Sequence, residues 1–171
     1  MDYFALFGLP PSFTLDESTL HKAYVALQQQ FHPDRLVGKA EAERAKAIQL
    51  SMDATQGYEA LKSPLTRAQH LLALQGVVVN SEGKDSVKAD QPLLMEMMEL
   101  REQLSNAMDA HALAHAVADI KAAMKDCHDK LSSAFEQCDY AQAAQLTIRM
   151  RYLGKALEEA YMLTHQRKAT H

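Results

Sequence analysis

Apolar residues recur along most of this chain at three- and four-residue intervals, which aligns them on one face of an α-helix. Residues 2–7 form a short apolar run stopped by Gly8, and Pro10-Pro11 forces a turn. Asp16 can cap the next helix, with Thr14 and Glu17 as an alternative capping box. That helix carries the stripe Leu20, Tyr24, Leu27 and Phe31 and ends before Pro33, because the residue preceding a proline is pushed out of the helical region. Arg35 to Lys39 reads as a polar loop. A long helix from about Ala40 to Lys62 follows, striped by Ala47, Leu50, Ala54, Tyr58 and Leu61. Gly57 inside it costs about 1 kcal/mol relative to alanine on helix propensity alone. Ser63-Pro64 is a cap followed by a first-turn proline, and the helix it opens, Leu65 to Leu74, closes at Gly76.

The helical period lapses over residues 76–90, the one segment that reads as a linker, although Val77-Val78-Val79 is too apolar for a free tether. Three helices follow, capped by Asp90, Asp109 and Asp139. The first runs to about Met108. The second, roughly 110–137, carries Leu113, Val117, Ile120, Met124, Cys127, Leu131 and Ala134, spaced 4-3-4-3-4-3. The third, roughly 140–166, carries Ala143, Leu146, Met150, Leu153, Leu157 and Ala160, spaced 3-4-3-4-3. Two such seams and one further helix predict an antiparallel, coiled-coil-like three-helix bundle.

Composition narrows the function. Across 171 residues there are six glycines and five prolines, too few turn residues for an all-β fold and little room for a phosphate-cradling loop. The net charge of −4 lacks the basic excess of a duplex-binding protein. Cys127 and Cys138, eleven apart, make neither a CxxC pair nor a disulfide framework and read as reduced thiols, Cys127 in the bundle seam and Cys138 in a loop. No run spans a bilayer, and Asp2 stands where a signal or transit peptide carries Lys or Arg. The expectation is a cytoplasmic, bacterial-type protein, or one already in its mature form. His111 and His115, at i and i+4, could share an ion, but they lie opposite the seam with no further ligand nearby in sequence, so no metal site and no cofactor is expected. Nucleophile elbow and HExxH signatures are absent, and no catalytic residue is expected.

The first helix of the bundle has more apolar residues than one face needs. With Leu93 at zero, Met97, Leu100 and Leu104 fall within about 40°, while Leu94, Met95, Met98, Glu99 and Glu102 fall between about 100° and 240°. That second face is either a protein-binding surface or a face buried elsewhere in the protein.

The tripeptide His32-Pro33-Asp34, between a helix ending in Phe31 and the long helix bearing Gly57-Tyr58-Glu59-Ala60-Leu61, resembles the signature of a J-domain. Three further stretches extend the likeness: the opening Asp2-Tyr3-Phe4-x-Leu6-Phe7-Gly8-Leu9, the run Ser63-Pro64-Leu65-x-Arg67-Ala68-x-x-Leu71-Leu72-x-Leu74-x-Gly76, and Leu94 to Glu102. Over its whole length the chain resembles the Hsc-type J-proteins, the co-chaperones of iron–sulfur cluster assembly. The resemblance implies an all-α protein with a J-domain helical hairpin at 1–75, a linker at 76–90 and a scaffold-binding three-helix domain at 91–171. It implies two partners, an HscA-type, DnaK-like ATPase chaperone and an IscU-type cluster scaffold, with no nucleic acid, membrane or cofactor. It places chaperone binding on His32, Pro33, Asp34, Arg35 and Lys22. Scaffold binding falls on Leu94, Met95, Met98, Glu99, Glu102 and Tyr152, the last lying off the Leu146/Met150/Leu153 seam. Lys22 is the sole fixed positive charge of its helix, where J-domains usually carry several, and Gly57 and Arg35 stand where the family more often has Ala and Lys. Two other readings stay open at this point: a J-protein adaptor for a different client, and a small helical metal-binding protein.

Overall fold

The computed structural model describes residues 1–79 and 83–169, the last three by backbone. Asn80, Ser81 and Glu82 of the expected linker lie outside the described residues. Among the described residues the chain is all-α, without strands, and it divides into two compact units, Met1–Leu74 and Gln75–His171. No helix among them is long and apolar enough to cross a membrane.

The first unit contains α1 (Tyr3–Leu6), α2 (Glu17–Gln30), a 3-10 turn (Pro33–Leu36), α3 (Glu41–Lys62) and α4 (Pro64–Leu74). Asp2 caps α1, and Asp16 is the N-cap of α2, accepting from Thr19 N–H at 3.0 Å. The expected loop from Arg35 to Lys39 is not wholly open: Arg35 and Leu36 belong to the helical turn Pro33–Leu36, because Pro33 presets φ and its missing N–H costs nothing at a helix start. The core forms around Phe4, Phe13, Leu20, Ala54, Leu61, Ala68 and Leu72.

The structure accounts for Gly57. A Cβ there would stand 2.8 Å from Tyr3 Cδ1 and 3.0 Å from Phe7 Cε2. Helix α1 lies on α3 so closely that the propensity gain of an alanine would be offset by a clash with two aromatic rings. Tyr3 is held from the other side by α4, its N–H donating to His70 Nε2 at 3.2 Å. Burial holds the His70 imidazole below its ordinary pKa, the Asp2 carboxylate opposing, which favours the neutral ring able to accept that bond.

Arg67 is buried yet faces no carboxylate within bonding distance. Its Nε donates to Leu61 O at 2.8 Å, Nη1 to Phe13 O at 2.8 Å and Nη2 to Lys62 O at 3.4 Å. Leu61 and Lys62 are the last residues of α3, whose carbonyls have no intrahelical donor. The guanidinium therefore caps α3, complements its negative end and ties in the segment before α2. Arg67→Met is expected to lower unfolding free energy by about 2–4 kcal/mol, since buried carbonyls lose charged donors, and Arg67→Lys by somewhat less. Urea denaturation checks this. A loss under 1 kcal/mol would show that water replaces the guanidinium there.

The second unit contains α5 (Gln91–Asn106), α6 (Ala110–Glu136) and α7 (Tyr140–Ala169). Helix α5 stops at Asn106 rather than Met108 because Ala107 takes an extended conformation and Asp109 already caps α6 through Ala112 N–H. Leu113, Ile120, Cys127 and Leu131 of α6 are buried against α7, whose Ala143, Ala144, Leu146, Met150, Leu153 and Ala160 are buried in turn. Each large side chain so buried contributes about 2 kcal/mol. The turn between α6 and α7 closes with Asp139 N–H on Ala134 O and Cys138 N–H on Phe135 O, a Schellman arrangement. Cys138 occupies its left-handed position at φ 55°, where glycine is usual. Helix α6 runs antiparallel to α5 and α7. Helix α5 runs parallel to α7, as the pairings Asp90–Gln145, Glu96–Arg149 and Met97–Tyr152 show. Residues 75–90 fall in this second unit. There Val79 and Ser86 are buried, and Val87 N–H donates to Val78 O at 2.8 Å.

Candidate functional site

Two surfaces, one on each unit, carry the residues singled out from the sequence. On the first unit, α2 is held on α3 by a stack of Tyr24 on Tyr58, centroids 4.5 Å apart, and by Gln28. The Gln28 amide donates to Ser51 O and Thr55 Oγ1, both at 3.1 Å, and its carbonyl accepts from Ser51 Oγ at 2.7 Å. This clasp lies one turn before the end of α2 and sets the direction in which the chain leaves it. Phe31 ends the helix, and His32 is extended at ψ 139°, as a residue before proline must be. His32 then caps the 3-10 turn: Asp34 N–H donates to its Nδ1 at 3.3 Å and Arg35 N–H to its carbonyl at 2.9 Å.

That bond suits the neutral tautomer that carries its proton on Nε2. The Asp34 Oδ2 contact at 3.5 Å then becomes an ion pair only on protonation of the ring. The His32 side chain is 59% exposed and that of Asp34 90%, so neither stabilises a core, and both are presented outward. Both side chains stand outward on a pre-formed turn, an arrangement that suits docking. Lys22 and Arg35 are exposed. Positive charge beyond Lys22 comes from the far side of the turn. Lys39 and Lys46 line a shallow depression there with Phe31, Leu36 and Leu50, a contribution that reading α2 alone misses.

On the second unit, polar ties set the rotation of α5. Gln145 of α7 accepts from Asp90 N–H at 2.9 Å and donates to Lys88 O at 2.8 Å. Arg149 grips Glu96 through Nε at 2.9 and 3.0 Å and Nη2 at 2.8 Å, while its Nη1 reaches Asp126 of α6 at 3.0 Å. One guanidinium thus joins all three helices. Burial disfavours its charge, but the Glu96 and Asp126 carboxylates outweigh that and hold it firmly protonated. Beside it the Cys127 thiol is pushed up to about 11 by burial, and its Sγ donates to Leu146 O at 3.2 Å, consistent with an inert core thiol. No sequence spacing announced this cluster, because Glu96 and Arg149 are 53 residues apart.

With α5 so rotated, Leu93, Leu100 and Leu104 are buried. Leu94, Met95 and Met98 remain 42%, 58% and 72% exposed, so this face is not covered within the protein. Met95, Met98, Glu99, Arg101, Glu102 and Ser105 line a shallow groove along it. Tyr152 is placed differently from an edge residue of an open patch. It is half-buried, and its hydroxyl donates to Met97 O at 2.6 Å, tying α7 to the helix that bears the groove. Among the described residues no cluster of three or more His, Cys, Asp or Glu is arranged to hold a metal ion.

Residues 89–160 match the family described as the HSCB C-terminal oligomerisation domain. The chain is 38% identical over 166 residues to the co-chaperone protein HscB homolog of Pseudoalteromonas atlantica, covering 93% of this chain and 94% of that one. It is 37% identical over 158 residues to the iron-sulfur cluster co-chaperone protein HscB of Mus musculus, covering 92% and 67%. Among solved structures it is similar to the chaperone HscB from Vibrio cholerae, with a TM-score of 0.81 and 34% identity, covering 97% of this chain and 99% of that one. It is likewise similar to human co-chaperone protein HscB, with a TM-score of 0.82 and 31% identity, covering 95% and 81%. With the Pseudoalteromonas relative this similar along nearly the full length of both chains, and with the bundle matching the family's own C-terminal domain, this chain belongs to the HscB family of co-chaperones.

Proposed function

We propose that this chain recruits an IscU-type iron–sulfur cluster scaffold to an HscA-type, DnaK-like ATPase chaperone and stimulates the chaperone's ATP hydrolysis during cluster transfer. The observation that carries the reading is the pairing of two exposed, structurally unneeded surfaces. One is the His32-Pro33-Asp34 turn of the first unit, and the other is the Leu94/Met95/Met98 face of the second. The mouse relative's name, an iron-sulfur cluster co-chaperone, supports the choice of client.

In this reading residues 1–75 act as the J-domain, with His32, Pro33, Asp34 and Arg35 meeting the chaperone and Lys22 adding charge at the rim. A pre-formed turn loses little entropy on docking. Residues 91–171 form the scaffold-binding domain. Leu94, Met95 and Met98 supply apolar anchors, and Glu99 and Glu102 supply a polar rim. Tyr152 acts by holding α5. No bond chemistry takes place on the chain. It shifts the chaperone towards hydrolysis by binding one of that protein's states better than another, and covalent linkage raises the scaffold's local concentration there. The working compartment is the cytoplasm.

The test is a titration of scaffold into chaperone, ATP and the intact chain. Hydrolysis is expected to rise on adding the chain and to saturate at lower scaffold concentration than without it. Unchanged turnover at every concentration overturns the reading. Stimulation that scaffold does not affect favours a different client.

A further inference from the structure

We propose that His111 and His115 form a two-imidazole chelate for an exchangeable divalent transition-metal cation on the outer face of α6. The two residues stand one turn apart, both exposed, with ring centroids 4.7 Å apart and planes at 64°. A metal–nitrogen bond of about 2.0–2.1 Å places each ring centroid about 3.2 Å from a shared ion, so rings subtending about 90–110° lie about 4.5–5.2 Å apart. The observed spacing falls inside that window, so the helix already sets the two rings at a separation compatible with a shared ion.

Neighbouring groups define what kind of site this is. Asp109 precedes the pair and Asp119 follows it by one turn, but both carboxylates are engaged. Asp109 accepts from Ala112 N–H at 2.7 Å, and Asp119 accepts from Gln103 Nε2 at 3.1 Å. Among the described residues no third His, Cys, Asp or Glu is arranged with the pair, so the protein offers two donors and leaves the remaining positions to water. Such a site holds metal exchangeably rather than as a structural ion. The start of α6 disfavours cations through its dipole, and the two flanking aspartates oppose that effect. Imidazole donors select borderline cations, with copper(II) bound more tightly than nickel(II) or zinc(II). Two ligands do not make a tetrahedral cage, but they suffice for a chelate.

The test uses the intact chain with copper(II) or nickel(II) chloride in a non-coordinating buffer. Titration calorimetry follows the wild type, His111→Ala, His115→Ala and a control, His128→Ala. Circular dichroism shows that each variant is folded. One ion per chain is expected, bound roughly a hundredfold more weakly when either ring is removed, because the second bond is intramolecular. His128→Ala should leave the affinity unchanged. Electron paramagnetic resonance of the copper complex should show two equivalent nitrogens in the wild type and one in each variant. An affinity equal in wild type and both variants, or no tight copper binding to the wild type, overturns the proposal.

Discussion

Replacing His32 with glutamine, or Asp34 with asparagine, is expected to bring ATPase stimulation down to the chaperone's unstimulated rate while the fold persists. The Asp34 carboxylate is 90% exposed and carries no core contact, so removing its charge costs the chain almost nothing. His32 does cap its own turn through Nδ1, but an exposed cap of this kind contributes only about 1 kcal/mol. Loss of stimulation with unchanged helical content, and with a urea midpoint unchanged in Asp34→Asn and only slightly lowered in His32→Gln, therefore places both side chains at an intermolecular contact. The asparagine variant is the sharper of the two, since it keeps the size and hydrogen-bonding shape and removes only the charge. Full stimulation by either variant at ordinary concentrations would rule out this turn as the chaperone-binding element.

The combined substitution of Leu94, Met95 and Met98 by alanine is expected to weaken scaffold binding by about 3–5 kcal/mol, a few hundredfold or more. Central apolar anchors commonly cost 1–2 kcal/mol each or more, and adjacent ones do not simply add. Stability should change by no more than about 0.5 kcal/mol, because all three side chains face solvent and alanine favours the helix. Leu93→Ala or Leu100→Ala on the same helix should do the reverse to stability, losing about 2–4 kcal/mol, because those side chains are buried. Calorimetric titration with scaffold and thermal denaturation of each variant separate the two effects. Normal scaffold affinity in the triple variant would move the docking surface elsewhere on the bundle.

The contrast between these neighbouring residues shows how far the pattern reaches. The one-turn register of Leu93, Leu100 and Leu104 marks a core face, and helix phase alone sets Leu94, Met95 and Met98 on another. Phase could not say whether that other face met solvent or a second layer of protein. The exposures settled it, and they depend on how α5 is turned by Gln145, Arg149 and Tyr152, residues some 50 positions away in sequence. The His32-Pro33-Asp34 turn was legible for a different reason. Proline's effect on its neighbours is local, and so is the capping geometry that follows from it. Tyr152, which the family resemblance puts among the scaffold-binding residues, also reaches across with its hydroxyl to Met97 O, a partner that helix periodicity cannot name.

Local chemistry was enough to set the helices, their caps and their stripes, because hydrogen bonding, proline and glycine restrictions and 3.6-residue periodicity act within a few residues. Asp16, Asp90, Asp109 and Asp139 all cap where such rules put them. Three features came from the folded chain alone: glycine at position 57 beneath Tyr3 and Phe7, the Phe13 carbonyl that Arg67 satisfies, and the Glu96–Arg149–Asp126 junction. Each depends on groups distant in sequence approaching to within about 3 Å, the range over which hydrogen bonds and steric contacts act. A buried arginine and an exposed one are the same letter in a sequence, and only the partners that folding brings to them make one a cap, another a junction and a third a free charge.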